Sequence, residues 1–195
     1  GLYMLPPKAT LSVPLFIPQM NLEGALTECF ANVVSITEGV VGDVVSSIVD
    51  GDNSTYWQAA TKSDSAKVVI DLRENQSFDH GFIVWGSRPA STFSVSIIEN
   101  CTFLSNDDFS FLQEKLRLGD EDLFLDVETI LEDESVLVTN PYRPNDNEIK
   151  IQSFNYTNFE LGQNYTARYV ILEVEGVIDK DDDDRGAEIA EFALF

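Results

Sequence analysis

The sequence predicts an all-β protein, an antiparallel β-sandwich with one or two short helices. Three observations predict it. Short segments rich in β-branched and aromatic residues recur along the chain, turn-forming residues separate them, and only one segment carries a clear helical period. At 195 residues the chain suits one core of ordinary size.

The segments run in order. LSVPLFIP (11–18) opens the series, but Pro6, Pro7, Pro14 and Pro18 remove amide donors, so it reads as an edge strand. The first 28 residues are therefore expected to be the tail of a preceding β-sheet of a longer parent, and residues 29–195 the sandwich. KVVIDL (67–72), FIVWG (82–86) and TFSVSII (92–98) alternate well enough to be half-buried strands. SVLVT (135–139), EIKIQSF (148–154), RYVILEVEGV (168–177) and EIAEFALF (188–195) complete the set. Asp50-Gly51-Asp52, Arg88-Pro89 and Asn140-Pro141 mark turns. In 107–119, Phe111, Leu112, Leu116 and Leu118 line one helical face and Gly119 suits a stop. The acidic run within 103–147 reads as a solvated excursion, with a partner-facing surface as the alternative, and Asp181 to Asp184 as a hydrated loop.

Composition narrows the function. A net charge of -22, from 34 acidic and 12 basic residues, leaves no basic surface for a phosphate backbone or an anionic membrane. Nucleic-acid binding and membrane insertion are not expected. No apolar run approaches the ~20 residues that cross a bilayer. A hydrophobic fraction of 44% with thirteen phenylalanines argues for a packed core despite the charge.

The compartment is legible in Asn-X-Ser/Thr acceptors at Asn53, Asn75, Asn100, Asn155 and Asn164, a density that favours the secretory route. A leader is then expected upstream of Gly1 in the parent. Cys29 and Cys101 are the sole cysteines, so in an oxidising compartment they either form one disulfide or stay as buried thiols. A bridge would close a loop of about 70 residues and stabilise by about 4 kcal/mol.

Catalytic signals are weak. His80 is the single histidine, and neither cysteine has a nucleophile's context, so a hydrolytic triad has no support. Acid pairs are too abundant to single one out. The stretch IVDGDNSTYW (48–57) is more specific. Asp50, Asp52 and Thr55 offer several hard oxygens from one tight turn, Gly51 lets the backbone fold inward, and a further carboxylate from Glu188 or Glu191 would complete a calcium site. The alternative is an acidic Asx turn with no ion. Trp57 reads as core rather than as a sugar platform.

The order DGDNSTYW, KVVIDL, FIVWG, TFSVSI, RYVILEV and AEIAEFALF resembles the discoidin or coagulation-factor C-type domain, a galactose-binding-like jelly roll, over about residues 30 to 195. That resemblance implies a structural calcium held by the Ser47 carbonyl, Asp50, Asp52, Thr55, the Ala190 carbonyl and Glu191. It also implies a sugar end, where Trp57, Lys62 and Arg88 are the residues best placed, although basic residues there are few. A narrower resemblance joins WGSRPASTFSVSI, AKVVIDL and the Pro-rich LPPKATLSVPLFIP to the C-terminal end of fungal acid trehalases of glycoside hydrolase family 65. It implies a vacuolar, periplasmic or cell-wall glycoprotein whose parent hydrolyses α,α-trehalose by inversion. The catalytic glutamates would lie upstream in a helical barrel, and this chain would be a non-catalytic piece partnered with it. The competing expectation is a free-standing carbohydrate-binding or adhesion module.

Overall fold

The computed structural model describes residues 25–27, 32–35, 39–40, 44–61, 65–98, 127–136, 155–178 and 184–195. Cys29, Cys101, Lys62, Asn100, the expected helix at 107–119, the strands at 11–18 and 148–154 and the Asp181–Asp183 run lie outside them.

Seven strands occur among the described residues: β1 Asn32–Ser35, β2 Trp57–Gln58, β3 Ala66–Trp85, β4 Thr92–Ile98, β5 Val127–Ser135, β6 Asn155–Glu175 and β7 Glu188–Leu194. One 3-10 helix, Val45–Val49, is the helical element there. All pairings are antiparallel.

Two long strands organise the fold. β3 and β6 pair along almost their whole length, yet their two halves have different neighbours. The first half of β3 pairs with β1, and the second half of β6 with β4, which pairs in turn with β5. The second half of β3 pairs with β7, which pairs with β2. The seven strands are hydrogen-bonded into one continuous sheet, which the ribbon divides into two halves, β1-β3-β6-β4-β5 and β2-β7-β3-β6, the first and second sheets of the sandwich. Alternation supplies the filling. Val68, Ile70 and Leu72, Phe93, Val95 and Ile97, and Val170, Leu172 and Val174 from the first sheet share one cluster with Ile83, Trp85, Phe159, Ile189, Phe192 and Leu194 from the second. The rings of Phe93 and Phe159 meet across the sandwich, 5.5 Å between centroids.

The corner between the two halves is held by charge. Asp71, 2% exposed, accepts from Arg168 at 2.8 Å (Nε to Oδ1) and 3.1 Å (Nη2 to Oδ2), a bidentate pair. Its Oδ1 also accepts from the Arg73 amide at 2.9 Å, which holds Arg73 at φ 74°. A side chain in that left-handed region costs about 1–2 kcal/mol, and the hydrogen bond offsets it.

Several strand expectations change in length or kind. KVVIDL and FIVWG are one strand, β3, rather than two. The acidic run contains β5, at the edge of the sheet among the described residues, whose carboxylates face solvent while Ile130 and Leu131 pack against the core. The polar stretch before RYVILEVEGV is the first half of β6, with Thr157, Phe159 and Leu161 buried and Asn158 and Glu160 exposed. At the N-terminal side, the Leu26 amide donates to the Leu194 carbonyl at 2.9 Å, and Ala25 packs against Phe82, Val84, Ala190 and Ala193 on the opposite face of the second sheet.

Candidate functional site

The acidic loop follows directly from the 3-10 helix. Asp50 Oδ1 accepts from the Asp52 amide at 2.8 Å, and Asp52 Oδ1 accepts from the Ser54 amide at 2.9 Å, so two Asx turns follow each other. Gly51 sits between them at φ 75°, where a side chain would be strained. The Ser54 hydroxyl also donates to Asp52 Oδ1, at 2.6 Å. Together these bonds hold the Asp52 carboxyl below its ordinary pKa, the hydroxyl contributing most.

Thr55 closes the loop. Its Oγ1 lies 2.8 Å from Asp50 Oδ2 and 2.9 Å from the Asp52 carbonyl, which also accepts from the Thr55 amide at 3.0 Å. A hydroxyl has one proton, so one of its two short oxygen contacts goes without a hydrogen. The loop is tied to the last strand by Glu191, whose Oε2 accepts from the Gly51 amide at 3.0 Å. Glu191 is fully buried. Ser47 lies in the helix before the loop and Ala190 beside Glu191, and helix and strand are in contact.

The structure therefore gathers Asp50, Thr55 and Glu191 around Gly51, with Ser47 and Ala190 on the two elements that meet there. Asp52 offers the cluster its carbonyl while Ser54 engages its side chain. No three side chains from His, Cys, Asp and Glu converge as a metal cage among the described residues. A cation here must use carbonyl and hydroxyl oxygens as well, and that mixed oxygen set is what calcium accepts.

Glu188, the other acid offered for the loop, turns away from it. Its Oε2 accepts from the Ser87 amide at 2.7 Å and the Ser87 hydroxyl at 2.8 Å, and its Oε1 from Gln58 Nε2 at 3.4 Å. Gly86 permits this approach, since a Cβ there would stand 2.6 Å from the Glu188 Cβ. Sequence reasoning missed this network; its one signal was a glycine directly after the buried Trp85.

Of the residues expected at the sugar end, Trp57 and Arg88 are among the described residues, and Trp57 is core, as it reads in the sequence. Trp57 is 2% exposed and Arg88 3% exposed. Arg88 Nη2 donates to the Arg185 carbonyl at 2.9 Å, and the Arg88 carbonyl accepts from the Glu188 amide. Both side chains are used in packing, so neither offers a face to a sugar. A separate groove of about 160 Å³ lies on the outer face of the first sheet, lined by Thr92, Ser94, Ser96, Thr129, Glu173 and Glu175 among others.

Of the acceptors, Asn75 and Asn164 are exposed, and Asn53 and Asn155 are half-buried. His80 is a surface residue whose Nδ1 lies 2.5 Å from Asp79 Oδ1 and whose ring stacks on Phe195.

The β-sandwich fold is shared with carbohydrate-binding modules of known structure. The chitosan-binding module 1 from the chitosanase/glucanase of Paenibacillus sp. IK-5 superposes with a TM-score of 0.57 at 13% identity, over 88% of this chain and 98% of that one. The family 32 carbohydrate-binding module of Clostridium perfringens NanJ, in complex with galactose, gives a TM-score of 0.51 at 12% identity, over 87% and 96%. By sequence the homologues are fungal acid trehalases. The periplasmic/secreted acid trehalase of Candida glabrata is 30% identical over 98% of this chain, and the cell wall acid trehalase of Candida albicans 28% identical over 100%. The periplasmic acid trehalase of Saccharomyces cerevisiae is 40% identical over 53%. The chain spans 20% of the length of each Candida relative and 9% of the Saccharomyces one. No protein-family profile matches the sequence. The compartments in these relatives' names agree with the secretory route expected from the acceptors, and no helix among the described residues is long and apolar enough to cross a membrane.

Proposed function

We propose that this chain is a non-catalytic β-sandwich of a secreted acid α,α-trehalase, flanking and stabilising the portion that hydrolyses trehalose to glucose. One observation carries the reading: sequence identity to acid trehalases runs along 98% of this chain while spanning only 20% of the relative. A fifth of such a protein, folded as a sandwich of the carbohydrate-binding kind, is an accessory unit to chemistry done elsewhere. Its partner is the remaining catalytic portion, and its setting is the vacuolar lumen, periplasm or cell wall.

A structural calcium belongs to this proposal. Asp50, Thr55, Glu191 and the Asp52 carbonyl, with the carbonyls of Ser47 and Ala190, would hold it. Two features support the fit: the Thr55 hydroxyl has two acceptor oxygens for one proton, and Glu191 is a carboxylate in a fully buried place. The ion would stiffen the loop against β7.

The test is heat inactivation of the full-length protein. Phe159→Ala, which empties part of the sandwich core, should cost about 3–5 kcal/mol locally and shorten the half-life of trehalase activity at elevated temperature. At permissive temperature kcat/KM for trehalose should stay unchanged. A fall in kcat with an unchanged half-life would sink the reading.

A carbohydrate-binding role is the second reading, favoured by the groove lined by Thr92, Ser94, Ser96, Thr129, Glu173 and Glu175. Hydroxyl and carboxylate linings suit sugar hydroxyls. Saturable calorimetric binding of a cell-wall glucan, lost in Ser94→Leu, would establish it; absence of heat with any glycan removes it.

A further inference from the structure

Two of the glycosylation acceptors are joined in space by their own hydroxyls. Ser77 completes the acceptor begun by Asn75, and Thr166 the one begun by Asn164. Ser77 and Thr166 are register partners on β3 and β6, and their hydroxyls lie 2.8 Å apart. Ser77 and Thr166 thus share one face, and Asn75 and Asn164, at the register shifts on either side of the pair, are exposed as they are. The other face of the same stretch is core: Phe78 and Ala167 are buried, and Tyr165 packs against the cluster.

Asn75 precedes Ser77 by two residues and Asn164 precedes Thr166 by two, and because the strands are antiparallel the two asparagines leave the Ser77–Thr166 pair in opposite directions along the ribbon. That leaves room for two sugar chains side by side on one corner of the sandwich.

Asn155 differs in each respect. Its Nδ2 donates to the Gly86 carbonyl at 3.4 Å, and its side chain is half-buried. The hydroxyl that completes its acceptor, Thr157, is buried and accepts from Trp85 Nε1 at 2.9 Å. Asn155 braces β6 against the end of β3, and a sugar on Nδ2 would have to enter that joint.

We propose that the β3–β6 corner is a carbohydrate-bearing rim: Asn75 and Asn164 both carry N-linked sugar, Asn155 carries none, and the corner faces solvent in the assembled protein. In each transfer the Asn amide nitrogen bonds to the anomeric carbon of a lipid-diphosphate oligosaccharide, the lipid diphosphate leaves, and the amide loses one proton. The proposal rests on the secretory reading, because that donor is met only on the secretory route.

The experiment expresses the full-length protein in a yeast secretory host, measures how it divides between medium and cells, and maps glycopeptides after an endoglycosidase that leaves one N-acetylglucosamine per occupied Asn. The expected result is that residual sugar at Asn75 and Asn164 with Asn155 bare. N75Q and N164Q should each remove one glycan's mass, the double variant two, and N155Q none. Secreted protein with Asn75 or Asn164 bare, or with Asn155 occupied, overturns the proposal and leaves the compartment reading standing. Protein retained in the cytosol without sugar overturns both.

Discussion

The Gly51 amide donates to Glu191 Oε2 at 3.0 Å, and this bond joins a surface loop to a fully buried carboxylate 140 residues further along the chain. The loop's position on the sandwich depends on it. Replacing Glu191 by Ala leaves the Gly51 amide without its acceptor and a space in the second sheet, at a cost of about 1–3 kcal/mol for the lost acceptor alone. Chemical denaturation should show a lower midpoint with an unchanged slope; an unaltered midpoint would mean the bond is dispensable.

Calcium should act through the same residues. At an ion concentration 100 times Kd, binding adds about 2.7 kcal/mol, or roughly 5–10 °C in Tm for a chain of this size. The shift should appear on adding calcium to chelator-treated protein and vanish in Glu191→Gln. A shift that survives that substitution places the ion elsewhere, and no shift at all removes the calcium.

The Asp71–Arg168 pair carries the corner of the ribbon. Arg168→Met leaves Asp71, 2% exposed, as a buried carboxylate without its bidentate partner, for which about 3–5 kcal/mol is the expected loss. Adding Asp71→Leu should recover much of that loss, because the stranded charge is then gone. Strictly additive losses in the double variant would show that the two residues act independently.

Gly86 and Glu188 are predicted to couple through space. A methyl at position 86 must push the Glu188 side chain off Ser87, so Gly86→Ala should destabilise by about 1–3 kcal/mol. In a Glu188→Gly background, which removes the Glu188 Cβ as well as the carboxylate, the same change should cost clearly less. Equal penalties in both backgrounds would assign the glycine another role.

Asp52 sets an acid limit on the loop. Its folded pKa lies below the ordinary carboxylate value because Ser54 bonds the charged form through its hydroxyl and its amide. A lowered folded value stabilises above the unfolded pKa of ~3.9 and is lost as pH falls through the folded value. A carboxyl-carbon NMR titration of Asp52 should therefore give a midpoint below ~3.9, moving upward in Ser54→Ala. A midpoint that ignores the serine would refute the assigned cause.

How legible this was in the sequence depended on where each segment sits. TFSVSII and EIAEFALF are β4 and β7 almost to the residue, because both strands lie inside their sheets and bury regular apolar positions. β5 was hidden because an edge strand with carboxylates in water has no need of an apolar pattern. The first half of β6 was hidden by asparagines on its wet face, although Thr157, Phe159 and Leu161 alternate beneath them. β3 runs on through Arg73 beside the Asp71–Arg168 ion pair, and local propensity cannot see a partner almost a hundred residues away. The loop's own acids were readable, but the choice between Glu188 and Glu191 was set by the irregular register where Trp85 pairs with Ile189, which no local pattern reports.

The central claim is that this sandwich accompanies trehalose hydrolysis without performing it. The most direct measurement is glucose release from trehalose by the purified 195-residue chain beside that by the full-length protein, at equal molar concentration and acidic pH. The account predicts turnover by the full-length protein and none by the chain alone. Trehalose cleavage by the isolated chain would contradict it.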